Sequence, residues 1–341
     1  MLYFHNDYNE MCHPGVWERL QALQGQSVNG YGVDPFCDAA ADKIRALCGN
    51  GDLAVHFLVG GTQTNVTLIS AALRPYQGVL SADTGHIAVH ETGAVEATGH
   101  KILTIPAVDG KITAQQIKTA ISGHLEDPTA EHTVQPGMVY ISNPTELGTI
   151  YTLAELEAIR KVTLEHGLFL FVDGARLGCA LGAEENDITL PDLARLCDAF
   201  YVGGTKMGAL FGEALVLTHS ELKRDFRYMI KRHGGMLAKG RLLGVQFEAL
   251  LEDGLYFEIG RHNVSLAMQL KKACMEKGYP MYVDSPTNQQ FPILPNSLLK
   301  KLEPVCTWSL QAKIDEEHTA IRFCTSWATT QAEVDEVIRI L

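Results

Sequence analysis

The chain has 341 residues, 46% of them hydrophobic and 20% charged, which excludes a disordered segment and allows one large and one small domain. Its 28 lysines and arginines against 40 acids give a net charge of −12. That balance argues against nucleic acid or an anionic membrane surface as the main partner, although a few local arginines would suffice for an anionic small molecule.

The first well-delimited element is a helix opened by Asp34-Pro35 and closed by Gly49: aspartate caps, proline fits the first turn, glycine ends it. From residue 54 onward, short apolar runs alternate with helix-period stretches. Strands are expected at 54–59, 101–106, 138–142, 168–173, 199–203 and 214–218. Among the helical stretches, Leu153, Leu156, Ile159 and Val162 repeat at helical spacing. Nearly continuous apolar strands separated by helices predict an α/β fold, its sheet mostly parallel and covered on both faces. Around 234–240 the chain turns glycine-rich and a long helical pattern follows. The expected division is a large α/β domain with its N-terminal segment over 1–240 and a small C-terminal α+β domain over 241–341.

Eight cysteines form no Cys-x-x-Cys pair, which suits buried thiols in a reducing compartment. No basic start with an apolar run marks a secretory signal, and apolar runs such as 168–172 are too short to span a bilayer. A cytoplasmic protein is expected.

Parallel α/β sheets bind ligands at the carboxyl ends of their strands, and three strand ends here are polar. Val59-Gly60-Gly61-Thr62 leads from a strand into a helix, where free N–H groups suit a phosphate or a plain structural turn. It lacks the spacing of a dinucleotide site, and no Walker lysine motif occurs. Asp173 follows a buried strand in Asp173-Gly174-Ala175-Arg176 and needs a cationic partner. Arg176 is one candidate; a ligand's protonated ring nitrogen is the other, with a gross attraction of ~4 kcal/mol at ~4 Å and an effective dielectric near 20. Lys206 lies among glycines in Gly203-Gly204-Thr205-Lys206-Met207-Gly208, a poorly solvated setting that depresses an amine's pKa and favours imine formation with an aldehyde.

The order and spacing of these motifs resemble the L-threonine aldolase and β-eliminating lyase family of pyridoxal phosphate enzymes. The likeness also takes in Tyr31-Gly32-Val33-Asp34-Pro35, Gly85-His86 and Asn143-Pro144-Thr145-Glu146-Leu147-Gly148-Thr149, and runs to Arg322. It implies the aspartate-aminotransferase-like fold and a homodimer or homotetramer acting on a small amino acid. By the same resemblance Lys206 would hold pyridoxal 5'-phosphate with Thr205 beside it, Asp173 would pair with the ring nitrogen, and Gly61 and Thr62 would cradle the phosphate. His86 would stack on the ring, Arg176 and Arg322 would bind the substrate carboxylate, and Tyr31 would line the site, from its own chain or a neighbouring one.

The resemblance implies cleavage of a β-hydroxy-α-amino acid, L-threonine or L-allo-threonine, to glycine and an aldehyde. Alternatives on the same fold are β-elimination, transamination, or ligand binding without turnover. Two departures bear on the substrate: His5-Asn6-Asp7 stands where family members commonly have Arg-Ser-Asp, so Asn6 would replace a serine near the carboxylate, and Asn143-Pro144-Thr145-Glu146 stands where many carry Asn-Thr-His-Asn, so a second site histidine is absent and Glu146 would do different work. The base that accepts the hydroxyl proton is therefore left among His86, Glu91 and Glu146. His86 and His90 share a zinc-like spacing but lack a third ligand, so no metal is expected. Lys231, Arg232 and His233 are read as a solvated face, with Lys231 within conceivable reach of a phosphate.

Overall fold

The computed structural model describes residues 1–341 and is built around a seven-stranded sheet. Strand β1 (Leu2–Tyr3) lies apart from that sheet. Its members are β2 (Ala54–Leu58), β3 (Gln77–Ala82), β4 (Ile102–Ile105), β5 (Gln135–Ser142), β6 (Phe169–Asp173), β7 (Ala199–Gly203) and β8 (Glu213–Leu217), in the order β2-β8-β7-β6-β5-β3-β4. β4, β3, β5, β6 and β7 run parallel, whereas β8 is antiparallel to both β7 and β2. Between Gly203 and Glu213 there is only a single 3-10 turn, Thr205–Met207. That connection is too short for a parallel crossover, so β8 folds straight back. β3 is the sheet strand missing from the sequence reading; Gln77, Gly78 and Ser81 break its apolar pattern.

Helices α1 (Pro14–Gln21), α2 (Pro35–Leu47), α3 (Gly61–Ala72), α4 (His86–Val89), α5 (Ala114–Leu125), α6 (Leu153–His166), α7 (Leu177–Leu181) and α8 (Leu190–Leu196) precede or interleave these strands. They are followed by α9 (Ser220–Lys223), α10 (Phe226–Arg232), α11 (Arg241–Leu250) and α12 (Leu255–Glu276). Alternation along the strands feeds two cores. Val139, Ile141, Leu170, Val172 and Phe200 pack with Ile44, Ile117, Leu156, Ile159 and Leu193 from α2, α5, α6 and α8. Met138, Tyr140, Phe171 and Tyr201 face the other way, toward Leu68 and Ile69 of α3 and Phe226 and Ile230 of α10. The helix ends follow the sequence signals. Asp34 Oδ1 accepts from the N–H groups of Phe36 and Cys37 at 3.1 and 3.0 Å, and Thr152 with Glu155 forms a capping box on α6.

The remaining elements are β9 (Gln289–Gln290), β10 (Ile293–Pro295), α13 (Asn296–Leu302), β11 (Cys306–Thr307), β12 (Ser309–Lys313), β13 (His318–Cys324) and α14 (Gln331–Ile340). β13 pairs antiparallel with β10, β12 and β9. The N-terminus returns to this body: β1 pairs in parallel with β11, and the Phe4 ring meets Phe323 edge-on at 6.0 Å. α11 packs on α1 and α2, while α12 runs from α7 to α14. All eight cysteines are buried and unpaired, and no helix is long and apolar enough to cross a membrane.

Candidate active site

A cleft of about 750 Å³ opens where the carboxyl ends of the parallel strands face β12 and β13. Lys206, Asp173, His86, Gly61, Thr62, Thr205, Arg176 and Arg322 all border it. Asn6 does not line it but is buried next to it, its side chain accepting from the N–H of cleft-lining Tyr8 at 2.9 Å. Tyr31 lies elsewhere: it is exposed in a separate hollow with Arg227 and Lys231, the Lys231 ammonium 5.1 Å from its ring centre.

The glycines around Lys206 reflect close backbone approach. A Cβ on Gly203 would sit 2.4 Å from the Ala175 carbonyl oxygen, and one on Gly204 would sit 2.6 Å from that of Gly212. Burial, and then the charge of Arg176, hold the Lys206 amine below its ordinary pKa. Glu213, opposite Gly203 in the β7–β8 ladder, accepts from Gly204 N–H at 3.0 Å and Thr205 O–H at 2.8 Å. Burial pushes its carboxyl up to about 7.

Arg176 is not the partner of Asp173. Its Nε and Nη2 donate to Asp7 at 2.6 and 3.0 Å, which leaves Nη1 for the cleft. Asp7 is buried, which alone would raise its pKa; the charges of Arg176 and Lys206, with hydrogen bonds from Arg176 and Asn288, bring it down to about 2. Asp173 instead accepts from Tyr201 O–H at 2.5 Å, Tyr140 O–H at 2.6 Å, Ala175 N–H at 3.0 Å and Asn65 at 3.3 Å. None of these donors is charged and Asp173 forms no ion pair, and it borders the cleft.

His86 begins α4, and its backbone N–H donates to Glu146 Oε1 at 2.8 Å. Glu146 also accepts from Ser142 at 2.6 Å and borders the cleft; burial holds its carboxyl above the ordinary range. Glu91 lies behind His86, with Oε1 2.7 Å from Nδ1 and no surface on the cleft. Arg322 donates through Nη1 to Gln289 at 3.3 Å and through Nη2 to the His5 carbonyl at 3.1 Å, whereas its Nε is buried without a partner.

The donor set fits pyridoxal phosphate. Gly60 caps α3 without any side-chain bond, so its first N–H groups are free for a phosphate, and a Cβ on Gly61 would come within 3.1 Å of the Tyr201 hydroxyl. The unpartnered Arg322 Nε suits a carboxylate. Asp7, Asn65, Tyr140, Tyr201 and Glu213 were not singled out from sequence. For Tyr201 the strands carry a signal: Ala199 pairs with Phe171, so Tyr201 and Asp173, each two residues further, share a face.

A family model described as beta-eliminating lyase matches residues 15–294. The chain is 30% identical to a low specificity L-threonine aldolase of a Pseudomonas species, over 97% of this chain and 94% of that protein. It is 29% identical to the Pseudomonas aeruginosa protein of the same name, over 98% and 95%. Its structure superposes on a Leishmania major threonine aldolase with a TM-score of 0.97 at 44% identity, covering 100% of this chain and 98% of that one. An aspartate aminotransferase from Thermus thermophilus has the same fold, at a TM-score of 0.72 and 14% identity, covering 100% and 92%.

Proposed function

The chain belongs to the beta-eliminating lyase family, and from that premise we infer that it is a pyridoxal phosphate-dependent carbon–carbon lyase that cleaves a β-hydroxy-α-amino acid, L-threonine or L-allo-threonine, to glycine and an aldehyde. The observation that carries the reading is convergence: a desolvated lysine, a carboxylate that forms no ion pair and two arginines, Arg176 and Arg322, border one cleft. Lys206 would hold the cofactor, Asp173 would face its ring nitrogen, His86 would stack on it, and the α3 start at Gly61 and Thr62 would receive its phosphate. When bound, the cofactor supplies an electron sink for the pair released from the Cα–Cβ bond.

The remaining work falls to the chain. Arg322 Nε and Arg176 Nη1 orient the substrate carboxylate, with Asn6 behind them, and this fixes which Cα bond stands perpendicular to the cofactor ring. His86 Nε2 accepts the β-hydroxyl proton. Tyr31, exposed outside its own cleft, supports a homo-oligomer in which it serves a second copy. Purified holoenzyme given L-threonine and L-allo-threonine should release glycine and acetaldehyde with little 2-oxobutanoate. Ammonia and a 2-oxo acid as main products would replace the aldol reading with elimination.

A further inference from the structure

Behind the His86 ring, away from the cleft, lies a buried carboxylate. Glu91 Oε1 sits 2.7 Å from His86 Nδ1, and the Glu91 side chain has no exposure at all. The same oxygen accepts from Asn65 Nδ2, also at 2.7 Å, while Glu91 Oε2 is buried without a partner. Asn65 is wholly buried in the first turns of α3 and also donates to Asp173 Oδ2 at 3.3 Å. One amide therefore bridges two carboxylates that would otherwise repel in a poorly polarisable interior.

The chemistry of these atoms decides the proton. A carboxylate oxygen that receives an amide N–H acts as an acceptor toward the imidazole too, so Nδ1 carries the hydrogen and Nε2 keeps its lone pair. Nε2 makes no hydrogen bond within the chain, and His86 borders the cleft. Stacking on a ring does not require either nitrogen to be protonated. Proton acceptance at Nε2 requires that nitrogen to be unprotonated, with the ring hydrogen on Nδ1, because an Nε2–H presents a donor to the substrate.

We propose that Glu91 is a positioning residue that holds the His86 hydrogen on Nδ1 and leaves Nε2 free toward the cleft, and that Asn65 fixes Glu91 for this task by bridging it to Asp173. The proposal rests on the reading of the cleft as an aldol-cleaving site in which His86 takes the hydroxyl proton. It also removes Glu91 from the candidate bases, since that carboxylate never reaches the cleft.

The test is the ¹⁵N spectrum of histidine-labelled holoenzyme, with the His86 signals identified by their loss in His86→Phe. The wild type should show Nδ1 protonated and Nε2 bare. In Glu91→Leu the ring should move toward the Nε2–H form that imidazole favours in water, and kcat should fall by roughly 10²-fold or more while KM changes by less than about threefold. Glu91→Gln, whose amide oxygen still accepts from Nδ1, should keep the Nδ1–H form and at least about tenfold more kcat than the leucine variant. A wild-type His86 protonated at Nε2 overturns the proposal, as does a leucine variant with unchanged tautomer and kcat. If the leucine variant does not fold, the wild-type tautomer and the glutamine variant decide. A wild type that forms no glycine and aldehyde yet keeps His86 protonated at Nδ1 sinks the aldol reading and supports the tautomer assignment.

Discussion

Asp173 accepts from two tyrosine hydroxyls, an asparagine amide and a backbone N–H, and none of these donors is charged. Burial against Asp173 lifts both tyrosines well above their ordinary pKa, so they stay neutral and keep donating. The Asp173 side chain is thus held in place by neutral donors rather than by an ion pair, which leaves it available as a partner for a ring nitrogen. Asp173→Asn should retain bound cofactor, seen by its absorbance, while kcat falls by about 10²-fold or more. Turnover near the wild-type value in a fully loaded variant would make Asp173 structural. Both Asp173 and Lys206 were readable from sequence, because each directly follows an apolar strand and such ends face the ligand side of a parallel sheet. The partner of Arg176 was not readable: Asp7 is 169 positions away in the chain, and only the folded N-terminus brings it close. Of the two partners the sequence leaves open for Asp173, the structure withholds Arg176, which bonds to Asp7.

At the level of elements, the α3 start does two things at once. Its free N–H groups face the cleft, and Gly61 leaves room for the Tyr201 hydroxyl that bonds Asp173. An alanine Cβ at 61 would lie 3.1 Å from that hydroxyl, so the tyrosine or the helix start must give way by a few tenths of an ångström. Gly61→Ala should therefore weaken cofactor binding about tenfold or more, a change of ~1.4 kcal/mol, without a comparable loss of thermal stability in the cofactor-free chain. Equal affinity by equilibrium dialysis would mean that the cradle tolerates a side chain. The helix itself was legible from Gly60-Gly61-Thr62, α2 from its caps, and α6 from the helical spacing of Leu153, Leu156, Ile159 and Val162. β3 was not, since its burial comes from neighbours β4 and β5 on either side rather than from its own composition. The reversal of β8 was implicit in the short span after Gly203, although strand patterning alone gives no direction.

Across the whole molecule, the N-terminal segment acts as a strap. β1 and Phe4 are packed into the C-terminal body, and the Cys324 N–H donates to the Phe4 carbonyl at 2.7 Å. Three residues beyond Phe4, Asp7 reaches the start of α7 through Arg176 and also accepts from Asn288 of the C-terminal body at 2.9 Å. Asp7 thus joins both bodies at the rim of the cleft. Asp7→Asn leaves the largely buried Arg176 without its counter-charge, and should cost about 3 kcal/mol of stability at neutral pH. The pH dependence separates this charge effect from lost packing. Asp7 has a folded pKa near 2 against an ordinary 3.8, so its ionisation contributes stability that is fully present above the unfolded value. That contribution, about 2 kcal/mol, is lost as pH falls through 3.8 toward 2. The gap in unfolding midpoint between wild type and Asp7→Asn should therefore be wide at pH 7, unchanged down to about pH 5, and narrow steadily below pH 4. Denaturant melts across this range provide the check. A gap that stays constant with pH would assign the effect to shape and hydrogen-bond count, because the asparagine side chain carries no proton to release.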